Sequence, residues 1–155
     1  MPIFTKENIL AQKKFGTYGK PYLKTLNKKY SKSLHVDQIK FIKKQKYFFI
    51  ASANKSNNNM HISVKGMERA LIKLNKQTFK IKNWMGDGIF NTLGNIMTNP
   101  RVAIIFFDFE SKRRLRIQAK VKIIMIKRKN KFSKYCHDSY LNFTFLKVFE
   151  NCRRY

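Results

Sequence analysis

Between Leu115 and Ile123 the chain alternates without a break: Leu115, Ile117, Ala119, Val121 and Ile123 are apolar, and Arg116, Gln118, Lys120 and Lys122 stand between them. A period of two places one set on each face of a β-strand, so this segment buries one face and wets the other. A slip of one residue in its pairing would send every apolar side chain into water, so its register is strongly specified. The pattern demands an antiparallel sheet or barrel with one closed apolar side. Other segments supply partners. Tyr47 to Ala53 reads as a buried strand, Lys55 to Asn59 as a polar turn, and His61 to Lys65 as a short strand. Ala70 to Leu74 and Thr78 to Lys82 flank a turn at Asn75 to Gln77. Val102 to Phe107 is continuously apolar and is expected to be buried on both faces. Asn130 to Asn142 is polar and irregular, and Phe143 to Phe149 reads as a last strand. Residues Thr5 to Lys46 look mainly helical, with a break from Gly16 to Pro21 and a second helix entered at Asp37 as its N-cap. The expected fold is mainly β with peripheral helices, a small β-barrel.

A chain of 155 residues with 43% hydrophobic residues and 14 Phe carries enough apolar side chains for one core, and is expected to be a single domain over 1–155, with a helical segment at 1–46 and a barrel at 47–155. No apolar run approaches the ~20 residues of a membrane helix, and Met1 to Leu10 has no apolar stretch of leader length. A cytoplasmic protein without membrane contact is the expectation. Cys136 and Cys152 form no disulfide framework, and with His137 they match no metal spacing, so no metal site is expected. The 34 basic against 8 acidic residues give a net charge of +26. A nucleic-acid binder would gather those charges on one face with aromatics between them. Lysines spread from Lys6 to Lys147 instead favour a compositional origin, leaving nucleic acid as a lesser partner.

Gly86-Asp87-Gly88-Ile89-Phe90-Asn91-Thr92-Leu93-Gly94-Asn95-Ile96 reads as a loop entering a helix, which Asn99-Pro100 stops. Ile89, Leu93, Ile96 and Met97 are expected to form its buried face. Backbone N–H groups at a helix start lack intrahelical partners, so the turn at Asn91-Thr92 suits an anion such as a phosphate. By itself the turn marks an ordinary capped helix. His61 reads as a surface or packing residue, with no carboxylate partner to make it a base. Trp84, the only tryptophan, reads as a core or interface anchor with access to a cofactor.

Several stretches occur together in one order: Phe15-Gly16-Thr17, Phe41 to Ala53, Ile62-Ser63-Val64-Lys65-Gly66, Gly86 to Pro100, Arg113-Arg114-Leu115-Arg116, and Phe149 to Tyr155. In that order the chain resembles the FMN-binding split-barrel proteins related to pyridoxamine 5′-phosphate oxidase, in their short branch. The resemblance implies a split β-barrel homodimer with FMN in clefts at the subunit interface and a small-molecule redox substrate. It places Ser63, Val64, Lys65 and Gly66 along the flavin ring and ribityl chain, and Asn91 and Thr92 at the phosphate. It also places Arg114 against the flavin, and Lys82 and Asn83 at the ring edge.

The chain departs from the oxidase in offering neutral donors where the oxidase uses cations on the phosphate, with Lys65 or a partner-subunit Arg to compensate. It also lacks the oxidase's substrate-gripping C-terminal segment, so oxidation of pyridoxamine 5′-phosphate is not expected. The leading expectation is an FMN-binding oxidoreductase, since a flavin brings its own chemistry to a chain poor in paired acids, nucleophile triads and metal clusters. Two alternatives stand beside it: the same barrel with a deazaflavin or haem, and a non-enzymatic basic module for nucleic acid or another polyanion.

Overall fold

In a computed structural model, which describes residues 4–26, 30–84, 86–126 and 139–150, seven antiparallel strands form one curled sheet. Cys136, His137 and Cys152 lie outside the described residues. The strands are β1 (Tyr47–Ala53), β2 (Met60–Gly66), β3 (Leu71–Leu74), β4 (Thr78–Asn83), β5 (Arg101–Phe107), β6 (Arg114–Met125) and β7 (Ser139–Glu150), in the order β2-β1-β5-β6-β7-β4-β3. The helices are α1 (Lys6–Lys14), α2 (Pro21–Leu26), α3 (Val36–Lys44) and α4 (Asn91–Thr98). Residues 1–31 and 32–155 form two compact units. Within the first, Thr5 caps α1 in a reciprocal capping box with Asn8, whose side chain accepts from the Thr5 N–H at 3.0 Å.

The alternation of β6 appears as expected. Leu115, Ile117, Ala119 and Val121 are buried, and Arg116, Gln118, Lys120 and Lys122 are exposed. The sheet curls far enough for rings on strands that do not pair to meet. Phe48 on β1 lies 5.5 Å from Phe79 on β4 and 6.4 Å from Phe143 on β7, and Phe79 lies 6.0 Å from Phe106 on β5. These four rings, each at most 1% exposed, fill the barrel. Their burial supplies much of the apolar driving force for closing the sheet.

Four readings of the sequence need correction. The helix read as entered at Asp37 is α3, which begins at Val36 with His35 as its cap. Asp37 sits in the first turn, and the Gln38 side chain accepts from the His35 N–H at 2.9 Å. β5 is buried on one face only: Val102, Ile104 and Phe106 point into the core, while Ala103 is exposed and Ile105 half-buried, because none of the described residues covers the outer side. β7 begins at Ser139, inside the stretch read as irregular, since Ser139 to Asn142 pair with both β4 and β6. Of the face expected for α4, Ile96 is buried and Leu93 packs against the core, but Ile89 and Met97 are 67% and 79% exposed, and the polar Thr92 and Asn95 are buried beside Ile96. Polar residues take that face because they meet the open side of the barrel rather than its apolar interior.

Candidate cofactor cleft

On β2 the apolar residues face outward and the polar ones inward. His61, Ser63 and Lys65 stand opposite Ser52, Ile50 and Phe48 on β1, whose side chains are buried. Met60, Ile62 and Val64 are exposed on the other side. An edge strand with a polar inner face cannot seal the barrel, and a cleft of about 230 Å³ opens between this face, the end of β4 and the start of α4. Among its lining residues are His61, Ser63, Val64, Lys65, Asn83, Trp84, Asn91 and Thr92.

Lys65 bridges the opening. Its Nζ donates to Asn83 Oδ1 at 3.0 Å, joining β2 to a strand far from it in sheet order. Asn83 is buried and uses its amide Nδ2 to donate to the Trp84 carbonyl at 3.2 Å, so its orientation is fixed from both ends. Burial pushes the Lys65 pKa below the ordinary lysine value of 10.5, and the Asp87 carboxylate partly opposes that shift. The cleft thus holds a half-buried ammonium that donates to a neutral amide, a good donor for an anion.

The helix start opposite is set by its loop. Gly86 and Gly88 take positive φ of 63° and 77°, and the Asp87 carboxylate accepts from the Ile89 N–H at 3.0 Å. Phe90 caps the helix in the left-handed region at φ 58°, a strained state for a residue of its size. The first helical hydrogen bond runs from the Gly94 N–H to the Phe90 carbonyl at 2.8 Å. The N–H groups of Asn91, Thr92 and Leu93 precede it, have no intrahelical acceptor, and belong to residues that line the cleft. On the buried face that it shares with Thr92, α4 is fastened to β1 by the Asn95 Nδ2 donating to Ser52 Oγ at 3.2 Å. Helix position is therefore coupled to the sheet that carries Ser63 and Lys65.

Of the residues assigned in advance, Ser63, Val64, Lys65, Asn83, Asn91 and Thr92 come together in this cleft. Gly66, Lys82 and Arg114 do not line it. Gly66 ends β2 opposite Tyr47, Lys82 faces outward with its Nζ 5.3 Å from the centre of the Trp84 ring, and Arg114 starts β6 opposite Phe107. His61 lines the cleft although the sequence suggested only a surface or packing role. The signal was present in the period of two that puts it on the same face as Ser63 and Lys65. Among the described residues no three His, Cys, Asp or Glu side chains gather to hold a metal, and no helix is long and apolar enough to cross a membrane.

This architecture recurs in solved structures. The chain superposes on a pyridoxamine 5′-phosphate oxidase candidate from Lactobacillus delbrueckii with a TM-score of 0.60 and 17% identity, over 77% of this chain and 95% of that one. An F420 reductase matches with a TM-score of 0.53 and 10% identity, over 74% and 95% of the two chains. HutZ, the haem storage protein of Vibrio cholerae, matches with a TM-score of 0.53 and 13% identity, over 76% and 94%. No family model and no curated protein matches the sequence. The fold is therefore the split β-barrel of the pyridoxamine 5′-phosphate oxidase-like proteins.

Proposed function

We propose that the protein is an FMN-binding oxidoreductase that acts on a small-molecule substrate as a homodimer. The observation that carries this reading is the convergence of two anion-binding devices on one cleft: the open N-terminus of α4 and the half-buried Lys65 ammonium. In this assignment the N–H groups and side chains at Asn91 and Thr92 hold the phosphate. Lys65 supplies the positive charge that the neighbouring side chains lack. Ser63 and Asn83 offer polar contacts along the walls, and Trp84, 44% exposed, an aromatic one. Bound FMN brings electron transfer through its ring system, while the chain binds and orients it.

The dimer is supported by the outer side of β1, β5 and β6. Phe49, Ala51, Ile62, Ala103, Ile105 and Phe149 line an open apolar groove of about 360 Å³ there, wider than the cleft and nearly free of charge apart from Arg116. A second subunit over this face would bury the side of β5 that the single chain leaves open.

An absorption spectrum tests the cofactor. Protein supplemented with FMN and desalted should stay yellow, with about one flavin per chain. Colourless protein with no flavin affinity would reject the reading, and a retained haem or deazaflavin spectrum would transfer the cleft to that cofactor.

A further inference from the structure

Strand register lines up cations across the outer face of β3, β4, β7 and the far half of β6. Lys73 stands beside Lys80, Lys80 beside Asn142, and Asn142 beside Lys122. The next row along the strands is Thr78, Thr144 and Lys120, and the row on the other side is Lys82, Tyr140 and Ile124. Paired strands lie about 4.8 Å apart and alternate residues about 6.8 Å apart, inside the ~8 Å screening length of physiological salt. Like charges directly opposite each other, as at Lys73 and Lys80, oppose folding. Yet no residue of β3, β4, β6 or the Ser139–Thr144 half of β7 is acidic. The acids Asp108 and Glu110 lie instead in the β5–β6 turn, and Asp37 and Glu150 pair with Arg113 beside it. Among the described residues no acid of these strands stands beside Lys73, Lys80, Lys120 or Lys122, which suits these four cations to an anion from outside the chain.

The groups between the cations narrow the partner. Tyr140 is half-buried with the Lys80 Nζ 4.3 Å from its ring centre, and Asn142 and Thr144 follow it on the same face. Cations that track phosphates, beside an aromatic ring and amide or hydroxyl groups on an open sheet, suit the backbone and unpaired bases of a single strand. A four-stranded surface spans about 14 Å between its outer strands and is too broad for the ~12 Å major groove of a duplex. We propose that this face binds single-stranded nucleic acid, with Lys73, Lys80, Lys120 and Lys122 on phosphates and Tyr140 stacked on a base. The surface is separate from the cleft, whose β2 and β4 residues Ser63 and Asn83 point inward, so the inference stands apart from the flavin assignment.

The test is fluorescence anisotropy of a labelled 20-nucleotide oligodeoxythymidylate with the full chain. With four phosphates engaged, log affinity should fall against log salt with a slope of about −3. Lys80→Glu with Lys122→Glu should weaken binding at least tenfold. Lys43→Glu with Lys44→Glu, which changes net charge equally on the exposed end of α3, should weaken it less than threefold. Tyr140→Leu should weaken the oligonucleotide several-fold and leave heparin, a polyanion without bases, unaffected. Near-UV circular dichroism confirms that each variant keeps its fold. Equal losses in the two double variants would overturn the proposal, because whole-molecule charge would then explain binding. So would an unchanged affinity in Tyr140→Leu, or binding confined to phosphatidylserine vesicles.

Discussion

At the scale of single residues, Lys65 carries the most testable chemistry. Its pKa is lowered by burial, with Asp87 in partial opposition, so between that lowered value and the ordinary 10.5 the unfolded chain binds more protons than the folded one. Stability contributed by this site therefore rises with pH across that window. Phosphate binding has the opposite sign, since a bound anion favours the protonated ammonium. FMN affinity should fall as pH rises through the lowered Lys65 pKa, before exposed lysines titrate, and riboflavin affinity should stay level. Isothermal titration in buffers spanning that range measures both; parallel curves for the two ligands would remove Lys65 from the phosphate. Lys65→Met should cost FMN about 1.5–3 kcal/mol of binding, the worth of a hydrogen bond to a charged group, and riboflavin much less.

At the scale of elements, two packing arrangements can be separated by mutation. Phe48 meets the rings of Phe79, Phe106 and Phe143 in a fully buried site, so Phe48→Ala should lower unfolding free energy by about 3–5 kcal/mol in urea titration. A loss below 1 kcal/mol would contradict the closed aromatic core. Arg113 joins α3 to the end of β7: it reaches Asp37 at 2.7 Å and Glu150 at 2.5 Å, and its guanidinium lies 4.6 Å from the centre of the Phe41 ring. Burial disfavours its charge, but the hydrogen bonds it donates to Glu150 and Asp37 outweigh that and raise its pKa. The Asp37 side chain is 67% exposed and that of Glu150 35%, so the Asp37 pair should contribute about 0–1 kcal/mol and Glu150→Gln should cost more than Asp37→Asn. The reverse order in thermal melts would show that the outer arm does the joining.

The strands were the most legible elements in the sequence, because a period of two survives wherever one face is buried, as β6 shows. β5 was misread because its outer residues are apolar although none of the described residues buries them, and periodicity cannot distinguish such a face from one covered by a second internal layer. The polar inner face of α4 escaped for the converse reason: Thr92 and Asn95 are buried against a cleft and a serine, where helical spacing predicts apolar residues. The site was legible as two local motifs, at Ser63 to Lys65 and Asn91 to Thr92. Their meeting, and the part of Asn83 in holding Lys65, depend on the curl of the sheet.

At the scale of the whole molecule, a charge of +26 on each chain opposes self-association through solvent, so the proposed dimer over the apolar β1–β5–β6 face should strengthen as salt screens that charge. Sedimentation velocity at rising salt measures this, and dissociation by salt would point to an interface held by ion pairs. Ala103→Arg, at an exposed position within the groove, should give monomers that keep the fold. If the flavin site is shared between subunits, those monomers should also bind FMN more weakly. Unchanged binding by a monomer would place the whole site within one chain. The central claim is that the cleft at Lys65 and α4 holds the phosphate of a flavin. Its most direct test is a fluorescence titration of FMN and of riboflavin against the wild-type chain and against Asn91→Ala with Thr92→Val. The account predicts that wild type binds FMN more tightly than riboflavin and that the double variant loses most of that difference. Equal affinity of wild type for the two ligands, or an undiminished difference in the variant, would contradict it.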